Sequence, residues 1–277
     1  MMTEQPDFSA WIGRIETSPS ETLTPRLLDR FRASLSPHLT EIGAAPAGIH
    51  WCLSPHAVEA VGLGPDGHPA KGGFLPPVPL PRRMWAGGEI EFIAPLRERD
   101  EVTRVSRIGD VQTKTGRSGT LCFVTVHHEI NTERGTAMRE RHDIVYRAAA
   151  TAPTAPAHPD ARGDADAEWS ITVDPVLLFR YSALTFNGHR IHYDEAYARD
   201  VEFYPGLVIH GPLQATVLLN LSIAVGGSTP RRFAFRGVSA ACGTQTLRAR
   251  AWKTENGLEL ATITAGDVTA MTAIATW

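Results

Sequence analysis

The sequence predicts an α+β protein made of two tandem halves, each a long helix wrapped by an antiparallel sheet. Three observations predict it. The segment from Ala148 to Glu168 is rich in Ala, Pro and Asp, has no apolar period, and cuts the 277-residue chain nearly in half. Both flanking segments run from a helical pattern through polar loops into strand-like stretches. The helical stretch that starts near Gly211 is apolar on nearly every face.

The first half opens with TPRLLDRFRASL, an amphipathic helix expected to start near Thr24 with Pro25 in its first turn. Residues 62–81 follow as a loop full of Gly and Pro. EIEFIAPL, DEVTRVSRI, GTLCFVTVHHEI and ERHDIVYRA then read as strands with partial alternation. GDVQTKTGRSG reads as turns and strand ends between two of them. In the second half ITVDPVLLFRYSALT is helix-like, and GHRIHYDEAYARD is a loop followed by a short helix. RFAFRGVSA, TQTLRARAWKT, LELATITAGDV and TAMTAIATW close the chain as strands.

The helix after His210 carries the fold argument. Gly211 suits its N-cap, Pro212 its first turn, and Gly226 and Gly227 its stop. At 1.5 Å per residue it is about 21 Å long, too short to span a bilayer. A helix buried on most sides and followed by antiparallel strands is the hot-dog arrangement, so two copies make a double hot dog. A faint repeat agrees: residues from Phe92 overlay those from Arg236, with Arg104 and Arg248 at matching places. The expected boundaries are 1–148, a linker over 149–167, and 168–277.

Composition narrows the function. Hydrophobic residues make up 43% and charged residues 21%, so the chain can bury a core and is not disordered over most of its length. A formal net charge of −3 gives no basic excess for nucleic acid or anionic lipid. No apolar run reaches membrane-spanning length and no secretory signal is visible, so the expected setting is the cytoplasm. Cys52, Cys122 and Cys242 are too far apart for a zinc ribbon, and their odd number argues against a disulfide framework.

Chemistry concentrates in YSALTFNGHRIHYDEAYARD, which holds Asn187, His189, Arg190, His192, Asp194 and Glu195, with His210 a short distance on. One reading is a polar loop capping a helix, with Asp194 as the cap. A second is an N/O metal set of His189, His192, Asp194 and His210; it lacks helical i, i+4 spacing, and no metal is expected. A third comes from family likeness. ALTFNGHRIHYD resembles the hydratase signature of MaoC-like enoyl-thioester hydratases, which runs Thr-Gly-Asp-x-Asn-Pro-x-His-x-Asp. Thr185 begins it, Asn187 stands at the family's catalytic Asp, His192 at its catalytic His, and Asp194 at its terminal Asp. HGPLQ resembles the opening of the family's central helix. The variant FNGHRIHYD is similar to hydroxyacyl-thioester dehydratase type 2 and to mesaconyl-CoA and 3-methylfumaryl-CoA hydratases. FLPPVPLPRRMWAGGEIEF, KTGRSG, LCFVTVHHEI and DIVYR extend the resemblance over nearly the whole chain.

The resemblance implies reversible hydration of an α,β-unsaturated acyl-CoA, with the thioester as substrate and no cofactor. Its expected roles agree with simple chemistry. His192 titrates near neutrality when unperturbed and can serve as base and then acid. Asn187 has no useful pKa and is expected to position water. Gly211 is expected to offer its backbone N–H, at a helix N-terminus, to the enolate-like oxygen. His189, Arg190, His210 and Arg236 are the expected substrate-binding residues. His189 and Arg190 are also read as positioning the reactive loop; Arg190 alternatively pairs with a substrate carboxylate or is an ordinary surface arginine. Arg82 and Arg83, and the group Arg232, Arg236, Arg248, Arg250 and Lys253, are candidate contacts for carrier phosphates. His50, His56, His127, His128 and His142 are read as structural. The first half is expected to lack a catalytic loop and to build the acyl tunnel. The chain is expected to act as a monomeric pseudo-dimer or a homodimer. Two other readings are a hot-dog thioesterase, which wants a carboxylate where Asn187 stands, and a non-catalytic acyl-thioester-binding protein.

Overall fold

The computed structural model describes residues 7–42, 45–116, 119–152 and 159–277. Its strands are β1 (Ile15–Thr17), β2 (Glu21–Thr22), β3 (Arg82–Phe92), β4 (Glu101–Gly116), β5 (Gly119–Thr132) and β6 (Gly135–Arg147). β7 (Ala167–Val173), β8 (Arg232–Gly237), β9 (Gln245–Thr254), β10 (Gly257–Ile263) and β11 (Thr269–Thr276) follow. The helices are α1 (Pro25–Leu35), α2 (Pro175–Thr185), α3 (Glu195–Asp200) and α4 (Gly211–Gly226).

Local chemistry sets the helix ends. The Thr24 hydroxyl accepts from the Leu27 N–H at 3.1 Å, and Pro25 occupies the first turn. α1 then buries Leu28, Phe31 and Leu35, one stripe at helical spacing. α2 starts the same way, with the Asp174 carboxylate accepting from Leu177 N–H at 2.8 Å. α4 is buried from Leu213 to Ile223 and ends on Gly227 in the left-handed conformation. Two expected element limits shift. Residues 171–173, read with the following helix, end strand β7 instead. GDVQTKTG continues β4 to Gly116, paired with β5, instead of forming turns. Arg117 and Ser118, at the expected turn, lie outside the described residues.

All strands but β2 form one antiparallel path, β1-β4-β5-β6-β3-β8-β11-β10-β9-β7, and β2 pairs with β4. The order is a palindrome about the β3–β8 junction, where Gly88 faces Phe235 and Ile90 faces Phe233. β4 and β9 hold equivalent places, so the faint Arg104/Arg248 repeat falls on corresponding strands. This is a double hot-dog fold.

The two halves differ at their centres. Between α1 and β3 the described residues contain only short 3-10 turns, Ile49–Cys52 and Ala60–Gly62, and no second long helix. The cause is visible in residues 62–81, where frequent Gly and Pro cannot sustain helical hydrogen bonding. α4 therefore serves a core shared by both halves, with Phe31, Ile49 and Ile90 from one side and Leu218, Phe233 and Leu260 from the other.

Asn220, fully buried on α4, ties the halves together. Its amide donates to Ala47 O at 2.9 Å and Thr216 O at 2.8 Å, and its oxygen accepts from Thr40 N–H at 3.0 Å. Asn220→Ala leaves the Thr40 and Ala47 groups without these partners. We expect it to lower unfolding free energy by about 2–4 kcal/mol, read as a reduced urea midpoint.

The expected free linker is partly packed. Pro159 bridges to Val268, Asp160 N–H donates to Asp267 O at 2.6 Å, and the Arg162 guanidinium lies 4.4 Å over Trp252. These contacts lay residues 159–162 along the second half's sheet. Residues 153–158 lie outside the described set.

Candidate active site

A cavity of about 1140 Å³ opens where the first half lacks its long helix, and residues from both halves line it. Its volume suits a large ligand. On one wall stand Asn187, His189, His192 and Gly211; on another, His68, Arg83 and Trp85.

The loop after α2 begins with Phe186 in the left-handed conformation (φ 51°), which turns the chain so that Asn187 N–H donates to Ser182 O at 2.9 Å. The Asn187 side-chain oxygen accepts from His189 N–H at 3.0 Å, holding a tight Asx turn. A 3-10 turn over Arg190–His192 follows, and Asp194 caps α3 by accepting from Tyr197 N–H at 3.0 Å. Asp194 thus has the capping role read for it.

His192 is buried, and its Nδ1 lies 2.7 Å from Val208 O. A carbonyl only accepts, so Nδ1 carries the hydrogen and Nε2 keeps its lone pair. Burial pushes the imidazole down to about 4 against the Val208 bond, with nearby His68 adding to the depression. At neutral pH it is an uncharged base. His210 stacks on it at 3.6 Å and bonds Ser182 Oγ through Nε2 at 2.8 Å. Burial, then the neighbouring imidazoles, hold His210 well below its ordinary value. His210 is fully buried and off the cavity wall, so it supports the His192 ring instead of meeting a ligand.

Gly211 begins α4 on the cavity wall. A Cβ there would come 2.9 Å from Trp85 Cε3 and 3.3 Å from Cζ3, so the close approach of the indole demands glycine. Trp85 stacks on Phe235 at 4.6 Å and sits at an irregularity in β3 pairing between Trp85 and Gly87. The Gly211 N–H belongs to the first helical turn, where amides lack intrahelical acceptors and the dipole favours negative charge.

The two expected substrate-binding arginines lie off the cavity wall. Arg190 is engaged by Asp194, at 3.0 Å through Nε and 2.7 Å through Nη2, donates to Pro65 O at 3.1 Å, and covers Tyr197 at 4.2 Å. It locks the loop and does not line the cavity. Arg236 is exposed on β8, away from the cavity wall. Arg232 pairs with Glu89 at 3.2 Å, Arg248 with Asp267, and Arg250 with Glu168 at 3.0 Å, so that patch is largely neutralised by its own carboxylates. His189 does line the cavity.

Sequence reasoning passed over Asp66 and His68. The first half sends the Gly/Pro loop against the second half's reactive loop: a Cβ on Gly67 (φ +86°) would fall 1.9 Å from Gly188 O. Arg190 N–H donates to Asp66 O at 2.9 Å. His68 Nδ1 lies 2.9 Å from the Asp66 carboxylate, and its ring stands 4.0 Å from that of His189. Burial raises the Asp66 carboxyl, but the bond and charge of His68 outweigh it and hold Asp66 well below its usual range. Burial keeps His68 lowered despite Asp66. The signal was Asp-Gly-His inside a turn-rich loop, where an Asx turn sets a carboxylate beside an imidazole. Asp66, His68 and His189 also bring ligand atoms within 4.8 Å of one another, a trio able to hold a metal; the set His189, His192, Asp194 and His210 is not so assembled.

His128 and His142, read as scattered structural residues, meet on the cavity's first-half wall. Ser106 Oγ lies 2.8 Å from His128 Nδ1, His128 Nε2 3.1 Å from His142 Nδ1, and His142 Nε2 2.7 Å from buried Glu140. Glu140 also accepts from Trp51 Nε1 at 2.8 Å. The network anchors β4, β5 and β6 to one another.

Fold and site together define a double hot-dog protein with a ligand cavity between its halves and a buried neutral imidazole beside a helix N-terminus. The model of hydroxyacyl-thioester dehydratase type 2 matches residues 48–243. The chain belongs to that family of hydro-lyases. It is 42% identical over 221 residues to the mesaconyl-C(4)-CoA hydratase of Chloroflexus aurantiacus, covering 78% of each chain. It is 27% identical over 263 residues to the mitochondrial hydroxyacyl-thioester dehydratase type 2 of Schizosaccharomyces pombe, covering 80% of this chain and 85% of that one. Among solved structures, a MaoC-like dehydratase superposes with a TM-score of 0.73 at 13% identity, covering 98% of this chain and 99% of its own. HtdX of Mycobacterium tuberculosis gives 0.68 at 16% identity, covering 94% and 98%. At such identities these two likenesses speak for the fold alone.

Proposed function

We propose that this protein reversibly adds water across the α,β bond of an enoyl-CoA, acting as a hydratase and dehydratase. The neutral His192, hydrogen-bonded to Val208 and facing the cavity, carries the proposal. Its Nε2 takes a proton from water as oxygen attacks Cβ. The resulting imidazolium gives the proton to Cα, and the thioester oxygen gains charge beside the Gly211 N–H. Asn187 and His189 line the cavity and are assigned to water and substrate placement. The cycle balances with no cofactor, because the thioester itself delocalises the developing charge.

The 42% likeness to a mesaconyl-C(4)-CoA hydratase supports a narrower substrate, mesaconyl-C4-CoA or 3-methylfumaryl-CoA. On this reading residues 1–148 build much of the acyl wall, 149–167 connect, and 168–277 supply the reactive loop. A single chain then completes the site, whether alone or within a homodimer. No helix is long and apolar enough to cross a membrane among the described residues. A cytoplasmic setting is part of the proposal and suits the three free cysteines.

The test is loss of enoyl absorbance with crotonyl-CoA and mesaconyl-C4-CoA. Turnover of either supports hydration. No turnover of any enoyl-CoA by folded protein defeats it, and turnover of straight chains alone removes the narrower substrate.

A further inference from the structure

Two adjacent arginines open β3, and their surroundings differ. The buried Arg82 is ion-paired with Glu202 and lies 4.9 Å over Tyr204. Its charge is already answered. Arg82 and its partner Glu202 line the cavity as a closed pair; Arg83, on the opposite face of the strand beside its cross-strand neighbour Tyr146, lines the cavity without such a partner. Among the described residues no carboxylate forms an ion pair with it. Its positive charge is felt by His68 and His189, the two imidazoles that meet the reactive loop. Asp66, the carboxylate of that neighbourhood, is engaged by His68. Beside Arg83 the Tyr146 hydroxyl is fully buried; the guanidinium lies within reach of it but, among the described residues, no partner has good hydrogen-bond geometry.

A guanidinium on a cavity wall with no carboxylate partner among the described residues, and only a neutral phenol beside it, is arranged for an anion that arrives with the ligand. We infer that Arg83 binds a free carboxylate carried on the acyl group of the thioester, close to its β-carbon. The site rests on the hydratase reading for its substrate and adds the group that selects it. The position is chemically apt: a carboxylate near Cβ repels the electron pair of incoming water, and a paired guanidinium neutralises that repulsion. A straight-chain enoyl group leaves the Arg83 charge unpaired in a part-buried site, which weakens its binding.

Two measurements test the assignment. The first compares kcat/KM for mesaconyl-C4-CoA and crotonyl-CoA in wild type, Arg83→Met and Arg83→Lys. The ratio favouring the dicarboxylyl substrate falls at least about 30-fold in Arg83→Met, with partial recovery in Arg83→Lys. An equal loss on both substrates assigns Arg83 to the carrier phosphates and overturns the proposal, as does an unchanged ratio.

The second needs no turnover. Succinyl-CoA carries its carboxylate on the β-carbon and butyryl-CoA carries a methyl there; neither has a double bond to hydrate. Calorimetric titration of wild type should favour succinyl-CoA, and Arg83→Met should lose that preference by about 10-fold or more. A preference that survives the substitution, or is absent in wild type, sinks the assignment. A protein that binds with this preference yet hydrates nothing keeps the carboxylate site while the hydratase reading fails. Thermal midpoints of the variants, read alongside, separate a lost contact from a lost fold.

Discussion

His192→Ala is expected to lower kcat for enoyl-CoA hydration by about 100- to 10,000-fold, the usual cost of losing a positioned acid–base group. The substitution removes the ring whose Nδ1 is tied to Val208 O and whose other face is stacked on His210. Asn187 cannot take over, since an amide neither accepts nor releases a proton near neutral pH. Stopped assays with crotonyl-CoA and mesaconyl-C4-CoA read the loss, and far-UV circular dichroism confirms that the variant folds. Retention of more than a tenth of the wild-type rate would take the proton transfer away from His192.

The pH dependence follows from the same burial. The base must be neutral, and its value lies near 4, below the ordinary 6.5. The wild-type rate should hold level as pH falls through 6.5 and drop only as it approaches about 4. The stability sign agrees. An unfolded chain binds protons to this ring from 6.5 downward while the folded chain resists until about 4, so stability is lost as pH falls across that window. A rate limb centred near 6.5 instead would mean a solvated imidazole does the work.

Gly211→Ala is expected to reduce kcat by about 100- to 1,000-fold, the range seen when an oxyanion donor is removed. The added methyl meets Trp85 at 2.9 Å, and the indole has little room to retreat because Phe235 stacks behind it at 4.6 Å. The helix start must shift instead, carrying its N–H away from the thioester oxygen. The fold should survive, since α4 remains anchored by Asn220 and its apolar faces. Gly211→Ala/Trp85→Leu separates the two effects: relief of crowding should restore part of kcat. An unaltered rate in Gly211→Ala would show that another donor receives the charge.

Much of this protein was legible in the chain. α1 was readable from Thr24-Pro25, because a cap and a proline are local devices that act within one turn; α2 reads too early, from Ile171, although Asp174-Pro175 is the same kind of device. α4 was readable because its apolar residues cover nearly every face, which suits only a helix buried on most sides. The reactive loop was legible as one contiguous run, and the Asp194 cap with it. What failed to show were relations between distant residues. His68 reaches the site through a glycine-to-glycine crossing with Gly188, which no spacing in the sequence encodes. For Arg190 the sequence left loop positioning and a substrate carboxylate both open, and its bonds to Pro65 O and Asp194 favour the first. Arg82 and Arg83 are indistinguishable as letters; both line the cavity, but strand alternation gives Arg82 a carboxylate in Glu202 and leaves Arg83 without one among the described residues. The first half's long helix was expected by analogy with the second, and the Gly/Pro loop leaves a cavity there instead. Local pattern alone determined the elements, because caps, turns and apolar periods act over a few residues. Charge partners, ring stacking and the cavity were decided by packing, which also joins groups as far apart in the chain as Gly67 and Gly188 or Trp85 and Gly211.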